Sequence, residues 1–337
     1  MSIRTDEKQP SSEEVMPSKR IRIGLVNIGP LKAADIELGR LTVFYGPNGS
    51  GKSTVFRALN TAVRIIAGFS VSSAGTFALI SNEADTGRIS LDGLSGSYEI
   101  ELVRKARNAV AVKITDKTYG EAKTVSYEAA TSGMITPLRG RLGRPPVNVL
   151  ISVGLSDLHI TNVSGGIMKI MTASLNDLMM PPKNSTDINE YIEYIKEVNK
   201  VMSEIADAEI AVVDRKLYWK SAGIYFDGIN ASSGIQRMSL IAAAYTLANR
   251  MKKRGASPLL YIENFDAAFH TNLAMAVLNF LSKTEFPTLV EIHNDLILRT
   301  ALLNQFNYYI FGNGVATKDL DAFKKLWREV QTMADPT

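Results

Sequence analysis

Residues 46–54 read Gly-Pro-Asn-Gly-Ser-Gly-Lys-Ser-Thr, and this stretch decides the fold that the rest of the chain must adopt. It fits the pattern G-x-x-x-x-G-K-[ST], a loop whose backbone N–H groups surround nucleotide phosphates. Residues 41–45 before it are apolar and β-prone, and residues 55–68 after it have helical spacing. Such a helix points its amino end, with its partial positive charge, at the phosphates. The sequence therefore predicts a nucleoside triphosphate site.

The residue types in this loop also predict Mg²⁺ as a cofactor of the nucleotide. Lys52 would reach the β- and γ-phosphates, and the hydroxyl of Ser53 would bind Mg²⁺. Within the loop, the predicted nucleotide-binding residues are Gly46, Asn48, Gly49, Ser50, Gly51, Lys52, Ser53 and Thr54.

Composition narrows the class of protein. The chain has 337 residues, 45% of them hydrophobic, enough for two average domains or one large α/β domain. It has no cysteine, which excludes disulfides and thiolate chemistry. No apolar run approaches the roughly 20 residues that span a bilayer. Residues 1–18 lack the apolar centre of a signal peptide, so we expect a disordered leader and a cytoplasmic location.

Residues 19–152 are predicted to form an amino-terminal lobe. Residues 21–28 and 33–38 have strand patterns and precede the strand that enters the phosphate loop. Residues 88–129 alternate in short runs separated by turn residues, which predicts an antiparallel β-meander.

Basic side chains lie on this meander and on the glycine-bearing loop that follows it. Arginine forks match phosphate oxygens, so one interpretation is a DNA-facing surface. The other is a solvated sheet face with an ordinary connecting loop, and the sequence leaves both open. The net charge of +4 permits nucleic acid binding without requiring it. The candidate DNA contacts are Arg104, Lys105, Arg107, Arg139, Arg141 and Arg144.

A helical insertion is predicted over residues 153–208, after a buried strand at 147–152. Apolar residues recur at roughly helical spacing over 163–178 and over 186–206, on either side of Pro181-Pro182. Two helices joined by a proline turn would fold back as an antiparallel hairpin. The alternative is an ordinary helical subdomain packed on the sheet.

Residues 209–337 are predicted to form a carboxy-terminal lobe. Three strands, at 210–214, 216–220 and 224–227, lead into Ser232-Ser233-Gly234-Ile235-Gln236-Arg237 and a helix that continues to Lys253. Serine is a preferred residue at a helix amino end, so the motif starts this helix. A last strand at 307–311 and a closing helix at 319–330 complete the lobe.

Two apolar strands in this lobe end in residues of catalytic type. Residues 258–262 run into Glu263, a carboxylate suited to the water shell of Mg²⁺. The next residue, Asn264, has an amide, which cannot accept a proton at neutral pH. Residues 288–292 run into His293.

The order of these motifs, from residue 19 onward, resembles that of ABC-class ATPase heads of the SMC and RecF type, which have an α/β P-loop fold. In that family a β-layer precedes the phosphate loop, and backbone near Asn27 approaches the nucleotide. The resemblance implies a signature, made here by Ser233, Gly234 and Gln236, that binds the γ-phosphate held by a partner subunit.

The resemblance also assigns the remaining site residues. It implies that Glu263 holds the metal, that Asn264 stands at the general-base position, and that His293 is the switch histidine contacting the γ-phosphate. The D-loop, which crosses the dimer interface in the family, would include Asp266 and His270. The residues implied to act in catalysis are Lys52, Glu263, Asn264 and His293.

Three departures from the family pattern affect the expected activity. Ile235 replaces the second signature glycine, Asn264 replaces an acid, and no glutamine follows residue 152 where the family has its Q-loop. We therefore expect slow ATP hydrolysis. Asp266 or Glu291 would be a substitute base, and the sequence does not choose between them.

The resemblance implies an ATP-gated homodimer that binds duplex DNA in chromosome organisation or maintenance. A transporter ATPase is disfavoured by the β-meander and by the 181 positions between Lys52 and Ser233. Two alternatives stay open, a defence or repair ATPase that regulates a nuclease partner in trans, and a nucleotide-gated scaffold that does not hydrolyse ATP.

Overall fold

The computed structural model describes residues 20–93, 95–105, 109–119, 122–130, 132–137, 142–164, 167–182, 187–221, 223–227, 230–321 and 324. The strands are β1 (Ile21–Ile28), β2 (Leu31–Leu38), β3 (Leu41–Tyr45), β4 (Val71–Ser72), β5 (Thr86–Gly93), β6 (Gly96–Lys105), β7 (Ala109–Asp116), β8 (Lys123–Ala130), β9 (Met134–Ile135), β10 (Val149–Val153), β11 (Asp157–Asn162), β12 (Lys169–Ser174), β13 (Ala208–Val213), β14 (Lys216–Ser221), β15 (Ile224–Asp227), β16 (Pro258–Ile262), β17 (Thr288–Ile292), β18 (Asn307–Gly312) and β19 (Val315–Thr317). The helices are α1 (Lys52–Ile66), α2 (Ser73–Leu79), α3 (Leu175–Met179), α4 (Ile188–Ala206), α5 (Ser233–Lys253), α6 (Thr271–Leu281) and α7 (Asp295–Leu303). A short 3-10 turn, Phe265–Ala268, lies between β16 and α6.

One large sheet organises the described part of the chain. Its 14 strands have the order β12-β11-β10-β16-β17-β3-β18-β19-β2-β1-β5-β6-β7-β8. The five strands from β10 to β18 run parallel to one another. β3, β10, β16 and β17 are buried along their whole length, as expected of parallel strands covered on both faces. The carboxyl ends of these strands meet at one edge, where α/β sheets bind ligands.

Each face of the central sheet has its own core. Because side chains alternate along a strand, Phe44 of β3 and Tyr261 of β16 pack on the side of α1, where the ring of Phe56 stacks on Tyr261 at 4.3 Å. Val43 and Val290 face the opposite core, which α4, α5 and α6 cover. The sheet therefore separates the helix of the phosphate loop from the helix of the serine-glycine motif.

The antiparallel meander predicted from the sequence is confirmed, together with the α/β fold class. β5, β6, β7 and β8 pair in sequence, and β5 joins them to β1. β6 alternates buried and partly exposed residues along most of its length, as a sheet covered on one face requires. Two strands from the far end of the chain, β18 and β19, lie between β3 and β2.

The predicted helical hairpin over residues 153–208 is not formed, although its second helix is confirmed as α4. Within the first predicted helix, at 163–178, residues 169–174 instead form β12, which pairs antiparallel with β11 just before that segment. Ile170 of β12 is largely exposed, so this apolar repeat does not line a helical seam. In this segment, α-helical structure begins only after Ser174. The side chains of Ser174 and Asp177 form a capping box that starts the short helix α3.

Several predictions lie wholly or largely outside the described residues. They are the leader at 1–18, most of the closing helix at 319–330, and Arg107, Arg139 and Arg141. The lobe boundaries at 152 and 209 stay predictions. In the part of the chain that the structure describes, no helix is both long enough and apolar enough to cross a membrane.

Candidate nucleotide-binding site

The phosphate loop connects β3 to α1 and needs glycine at its first position. Gly46 has φ 152, and a β-carbon there would lie 3.1 Å from Cβ of Phe311 and overlap the carbonyl oxygen of that residue. The loop therefore runs against β18 at a spacing that only glycine permits. At Gly49, by contrast, a β-carbon would meet open space.

The amino end of α1 is open to an anion. Its N-cap is Gly51, none of the described side chains caps it, and its first turn contains no acid. By contrast, Ser232 and Asn294 cap α5 and α7 with their side chains. The first N–H groups of a helix have no partner within the helix and carry partial positive charge, so this end fits a phosphate.

Lys52 begins α1 and folds back over the loop. Its Nζ donates to the carbonyl oxygens of Gly46 at 2.7 Å and Pro47 at 3.0 Å, and the residue is only 5% exposed. Burial lowers the pKa of Lys52, and the negative charges of Glu291 and Asp266 oppose that shift. The ammonium group of Lys52 therefore lies at the phosphate loop, and the oxygens of a bound phosphate would replace its two carbonyl acceptors.

The hydroxyl groups around Lys52 add to this fit. The Oγ of Ser50 is buried and has no hydrogen-bond partner among the described residues. Ser53 is exposed, which suits its predicted role in binding Mg²⁺, whereas Thr54 is buried and accepts a hydrogen bond from Arg57 at 3.1 Å. Asn48 is exposed on the loop.

The turn between β1 and β2 packs on the start of α1. A β-carbon at Gly29 would lie 2.9 Å from Cγ2 of Thr54. Asn27, at the head of this turn, has a left-handed φ of 53, and its carbonyl oxygen accepts the N–H of Ser81 at 2.9 Å. The turn therefore lies beside the start of α1, and the approach of the Asn27 backbone to a nucleotide stays a prediction.

Glu263 follows β16 directly and is held at three points. Its N–H donates to the carbonyl of Val153 at 3.1 Å, and its own carbonyl accepts from Nη2 of Arg237. Its carboxylate oxygen Oε1 accepts from Oγ of Ser152 at 2.9 Å. The predicted metal-binding acid therefore lies at the carboxyl edge of the sheet in a defined orientation.

Asn264 has a left-handed conformation, with φ 43 and ψ 49. Asparagine enters this region at lower cost than glutamate, which gives a local backbone reason for an amide at residue 264.

Glu291 is a buried carboxylate on the α1 side of β17, with 4% exposure. It accepts the hydroxyl of Tyr261 and the backbone N–H of Asn264. Burial raises the pKa of Glu291, while the contact with Tyr261 and the charge of Lys52 oppose that shift. In the sequence, the feature that pointed to Glu291 as a candidate was an acid inside an otherwise apolar strand.

Asp266 and His293 are brought together in the same chain. Oδ2 of Asp266 accepts the backbone N–H groups of His293 at 2.7 Å and Asn294 at 2.5 Å, and Oδ1 lies 3.4 Å from Nδ1 of His293. Asp266 therefore fixes the turn after β17, and these contacts favour a structural role over that of a base. His270 is exposed and caps α6 through the N–H of Leu273 at 3.4 Å.

The signature residues start α5 beside the 3-10 turn. Ser233 is exposed, whereas Gly234 is buried, and a β-carbon there would lie 3.0 Å from the carbonyl oxygen of Ala268. Gln236 directs Nε2 to the carbonyl of Ala231 at 2.9 Å, which ties this side chain to the start of its own helix.

Arg237 is a site residue that the sequence reasoning quoted without assigning a role. It is 2% exposed, and its Nε and Nη1 have no hydrogen-bond acceptor among the described residues. Burial lowers the pKa of Arg237 to about 10, against the opposing charge of Glu263. Among the described residues, the one hydrogen bond of its side chain joins α5 to the carbonyl of Glu263. The only signal in the sequence was its place directly after Gln236.

The described DNA candidates differ in their surroundings. Arg104 donates to the carbonyls of Ala84 at 3.2 Å and Ile80 at 2.9 Å and lies over the ring of Phe77. This geometry favours a structural role for Arg104. Lys105 and Arg144 are exposed.

The site has few protein ligands for a metal ion. Among the described residues, no three His, Asp or Glu side chains converge to hold one. A site built from Ser53, Glu263 and the phosphates of a nucleotide suits Mg²⁺, which is usually bound through one or two carboxylates, water and phosphate oxygens.

The raised pKa of Glu291 predicts a pH-dependent effect of Glu291→Gln on stability. The carboxylate is costly when ionised, so the stability that Glu291 contributes is present below its unfolded pKa, about 4.3, and is lost as pH rises through its higher folded-state value. We expect the melting temperature of the wild type, relative to that of the variant, to fall between pH 4 and 8. The exposed Glu128→Gln is the control, and a gap that stays constant with pH would contradict the prediction.

Among known proteins, residues 22–136 match the family model described as an AAA domain. The match covers about a third of the chain, from β1 to β9, and contains the phosphate loop. None of the curated proteins compared matches the chain.

Solved structures are similar along most of the chain. The SMC head domain from Thermotoga maritima is 14% identical, with 89% of this chain and 98% of that chain covered and a TM-score of 0.45. An Smc head domain from Pyrococcus furiosus with an extended coiled coil, bound to the C-terminal domain of ScpA, is 12% identical, with 94% and 100% covered and a TM-score of 0.46. The recombination mediator protein RecF is 12% identical, with 89% and 98% covered and a TM-score of 0.44.

Proposed function

We propose that this chain binds ATP with Mg²⁺ at the phosphate loop. The observation that carries the proposal is the uncapped amino end of α1, with buried Lys52 beside it. Glu263 and His293 follow β16 and β17; β17 pairs with β3, and β16 pairs with β17 on its other side, all in parallel. All three strands thus deliver their chemical groups to one edge.

Different residues would bind the phosphates and the Mg²⁺ ion. Lys52 exchanges its two carbonyl acceptors for phosphate oxygens, and the first N–H groups of α1 bind the same phosphates. Ser53 and Glu263 hold Mg²⁺, which when bound neutralises charge on the phosphates. His293, steadied by Asp266, contacts the terminal phosphate.

We propose further that ATP joins two copies of the chain. Ser233 is exposed at the amino end of α5. The Ser232 cap takes the N–H of Ile235, and the N–H groups of Ser233 and Gly234 are the ones that would bind a phosphate held by a second copy. An ATP that contacts both copies only in the closed state shifts the monomer–dimer equilibrium toward a symmetric dimer.

The proposed partner of this dimer is duplex DNA, bound through its backbone in chromosome organisation or maintenance, with a nucleoid location. The net charge of +4 and the exposed Lys105 and Arg144 support contacts of this kind. A relation to coalescin, the crenarchaeal SMC-related chromosome-organising protein, belongs to the same proposal. It rests on Glu263-Asn264 and on the cysteine-free basic composition, since the short helical arm is not formed.

A scaffold that holds ATP without hydrolysing it is the second candidate. Asn264 favours it, because its amide cannot accept a proton and its left-handed backbone suits asparagine better than an acid. Phosphate release measured over hours against Lys52→Ala separates the two: release above that control supports a slow ATPase.

Sedimentation velocity tests the dimer. We expect Mg-ATP to convert the 36.9 kDa monomer into a dimer in the wild type. Ser233→Arg should stay monomeric, because a bulky cation replaces the exposed hydroxyl, while still binding ATP on its own loop. Ser203→Arg, at an exposed serine of α4, is the matched control and should dimerise. A Ser233→Arg protein that dimerises normally would sink the proposed arrangement.

DNA binding is tested by fluorescence anisotropy of labelled duplex DNA at two salt concentrations, with and without Mg-ATP. We expect tighter binding with ATP, weaker binding at the higher salt, and loss of the ATP effect in Ser233→Arg. Absence of binding under all conditions would favour a protein partner instead.

A further inference from the structure

A serine on β10 contacts the carboxylate of Glu263. Ser152 pairs in register with Tyr261 on the neighbouring parallel strand β16, so its side chain faces the α1 side of the sheet. It is 3% exposed, and its Oγ donates to Oε1 of Glu263 at 2.9 Å. β10 otherwise consists of Val, Leu and Ile, so Ser152 is its one polar side chain.

This contact leaves one carboxylate oxygen available. Among the described residues, Oε2 of Glu263 receives no hydrogen bond, while Oε1 is taken by Ser152. A carboxylate with one oxygen fixed keeps a single orientation for the other. The main chain of Glu263 is also held on both sides, by Val153 and Arg237. Ser152 thus completes the fixing of Glu263 by acting on the side chain.

We propose that Ser152 is a positioning residue for Mg²⁺ binding: it holds Oε1 of Glu263 so that Oε2 is directed to the metal and its water shell. The inference rests on the proposed function, since it needs Glu263 to be the metal-binding acid. It gives β10 a role in metal binding in addition to its backbone contact with Glu263. A hydroxyl that orients a metal ligand from outside the ligand set contributes to metal affinity without touching the metal.

A purely structural role would be simpler, because a buried hydroxyl costs stability unless it is hydrogen-bonded. The same chain contains a natural comparison. Ser73 is fully buried, and its Oγ has no hydrogen-bond partner among the described residues. Ser73→Ala removes the same atom from a buried site without touching a carboxylate, so it is a matched control for Ser152→Ala.

The test is a Mg²⁺ titration of a fluorescent ATP analogue bound to the full chain. We expect Ser152→Ala to raise the Mg²⁺ concentration at half-maximal effect about tenfold, the lower end for lost contacts of this kind. Analogue affinity in EDTA should not change. Ser152→Thr keeps the hydroxyl, so its Mg²⁺ concentration at half-maximal effect should stay within about twofold of the wild-type value. Ser73→Ala should have the wild-type value. If Ser152→Ala does not fold, Ser152→Cys serves instead, because a thiol is a weak donor and should also raise the midpoint.

A double-mutant cycle separates positioning from stability. In a Glu263→Gln background, Ser152→Ala should shift the Mg²⁺ midpoint no further, because the carboxylate that it orients is gone. Equal shifts in both backgrounds would overturn the inference, as would an unchanged midpoint in Ser152→Ala. These results leave the proposed function intact if the wild type shows Mg²⁺-dependent binding. A wild type that binds no analogue, with or without Mg²⁺, overturns both.

Discussion

Lys52→Ala is expected to abolish useful ATP binding while leaving the fold intact. A hydrogen bond to a charged group contributes up to about 3 kcal/mol, which corresponds to about 150-fold in Kd. In the free protein, Nζ of Lys52 is bonded only to carbonyl oxygens of its own loop, in surroundings that disfavour its charge. Removing it should therefore cost the unliganded protein little stability, whereas the bound state loses its main cation.

Isothermal titration with Mg-ATP and a melting curve without nucleotide measure the two effects. Lys196→Ala, on the exposed side of α4, is the control, because its ion pair with Glu193 is solvent-exposed and the residue lies outside the proposed site. A Lys52→Ala protein with wild-type affinity would remove the phosphate loop from the proposed function. One that fails to fold would mean that the loop depends on the buried ammonium more than its contacts indicate.

Gly46→Ala is expected to cause the largest loss of stability. The added methyl group overlaps the carbonyl oxygen of Phe311, and φ 152 is strained for any residue with a β-carbon. Overpacking and backbone strain together should cost about 3 kcal/mol, a fall of about 5 °C in melting temperature. β18 would have to move away from the loop to accommodate the methyl group.

Gly49→Ala is the control from the same loop. It also has a positive φ, 77, but its β-carbon would meet no atom within 4 Å. It should lose only the left-handed penalty of about 1 kcal/mol. Equal melting temperatures for the two variants would show that contact with Phe311 does not decide the requirement for glycine.

The strands and helices with strong local signals were predictable from sequence. β3, β16 and β17 are short apolar runs ending at polar residues, and such runs report buried parallel strands. The meander and α5 were recognisable in the same way, from alternation and from a serine cap.

β11 and β12 were not predictable from the local sequence, because their strand conformation depends on pairing with β10 and with each other. Over residues 163–178 the apolar spacing fits a helix, but β12 in this segment pairs with β11, which itself pairs with β10 and so extends the sheet. Ile170 stays exposed as a result. The local apolar pattern gives no indication of this exposure.

The candidate site likewise contains features that were predictable from the sequence and features that were not. The positions of Lys52, Glu263 and His293 followed from motifs at strand ends. The contacts of Ser152, Glu291 and Arg237 did not, because each depends on which strands and helices are neighbours in space. The hydrogen bonds of Asp266 to the backbone of His293 and Asn294 were likewise not predictable, and its dimer contact, implied by the family resemblance, stays a prediction.

The placement of β18 and β19 between β3 and β2 has a consequence for biosynthesis. β2 and β3 leave the ribosome early, but the strands that pair between them end at residues 312 and 317. At about 5–20 residues per second, the edges of β2 and β3 wait roughly 15–50 s for their partners. Unpaired edges of this kind bind other strands, so the nascent chain needs protection until β18 and β19 have been made. A fragment limited to residues 22–136 would keep both edges open and is not expected to fold as a stable domain.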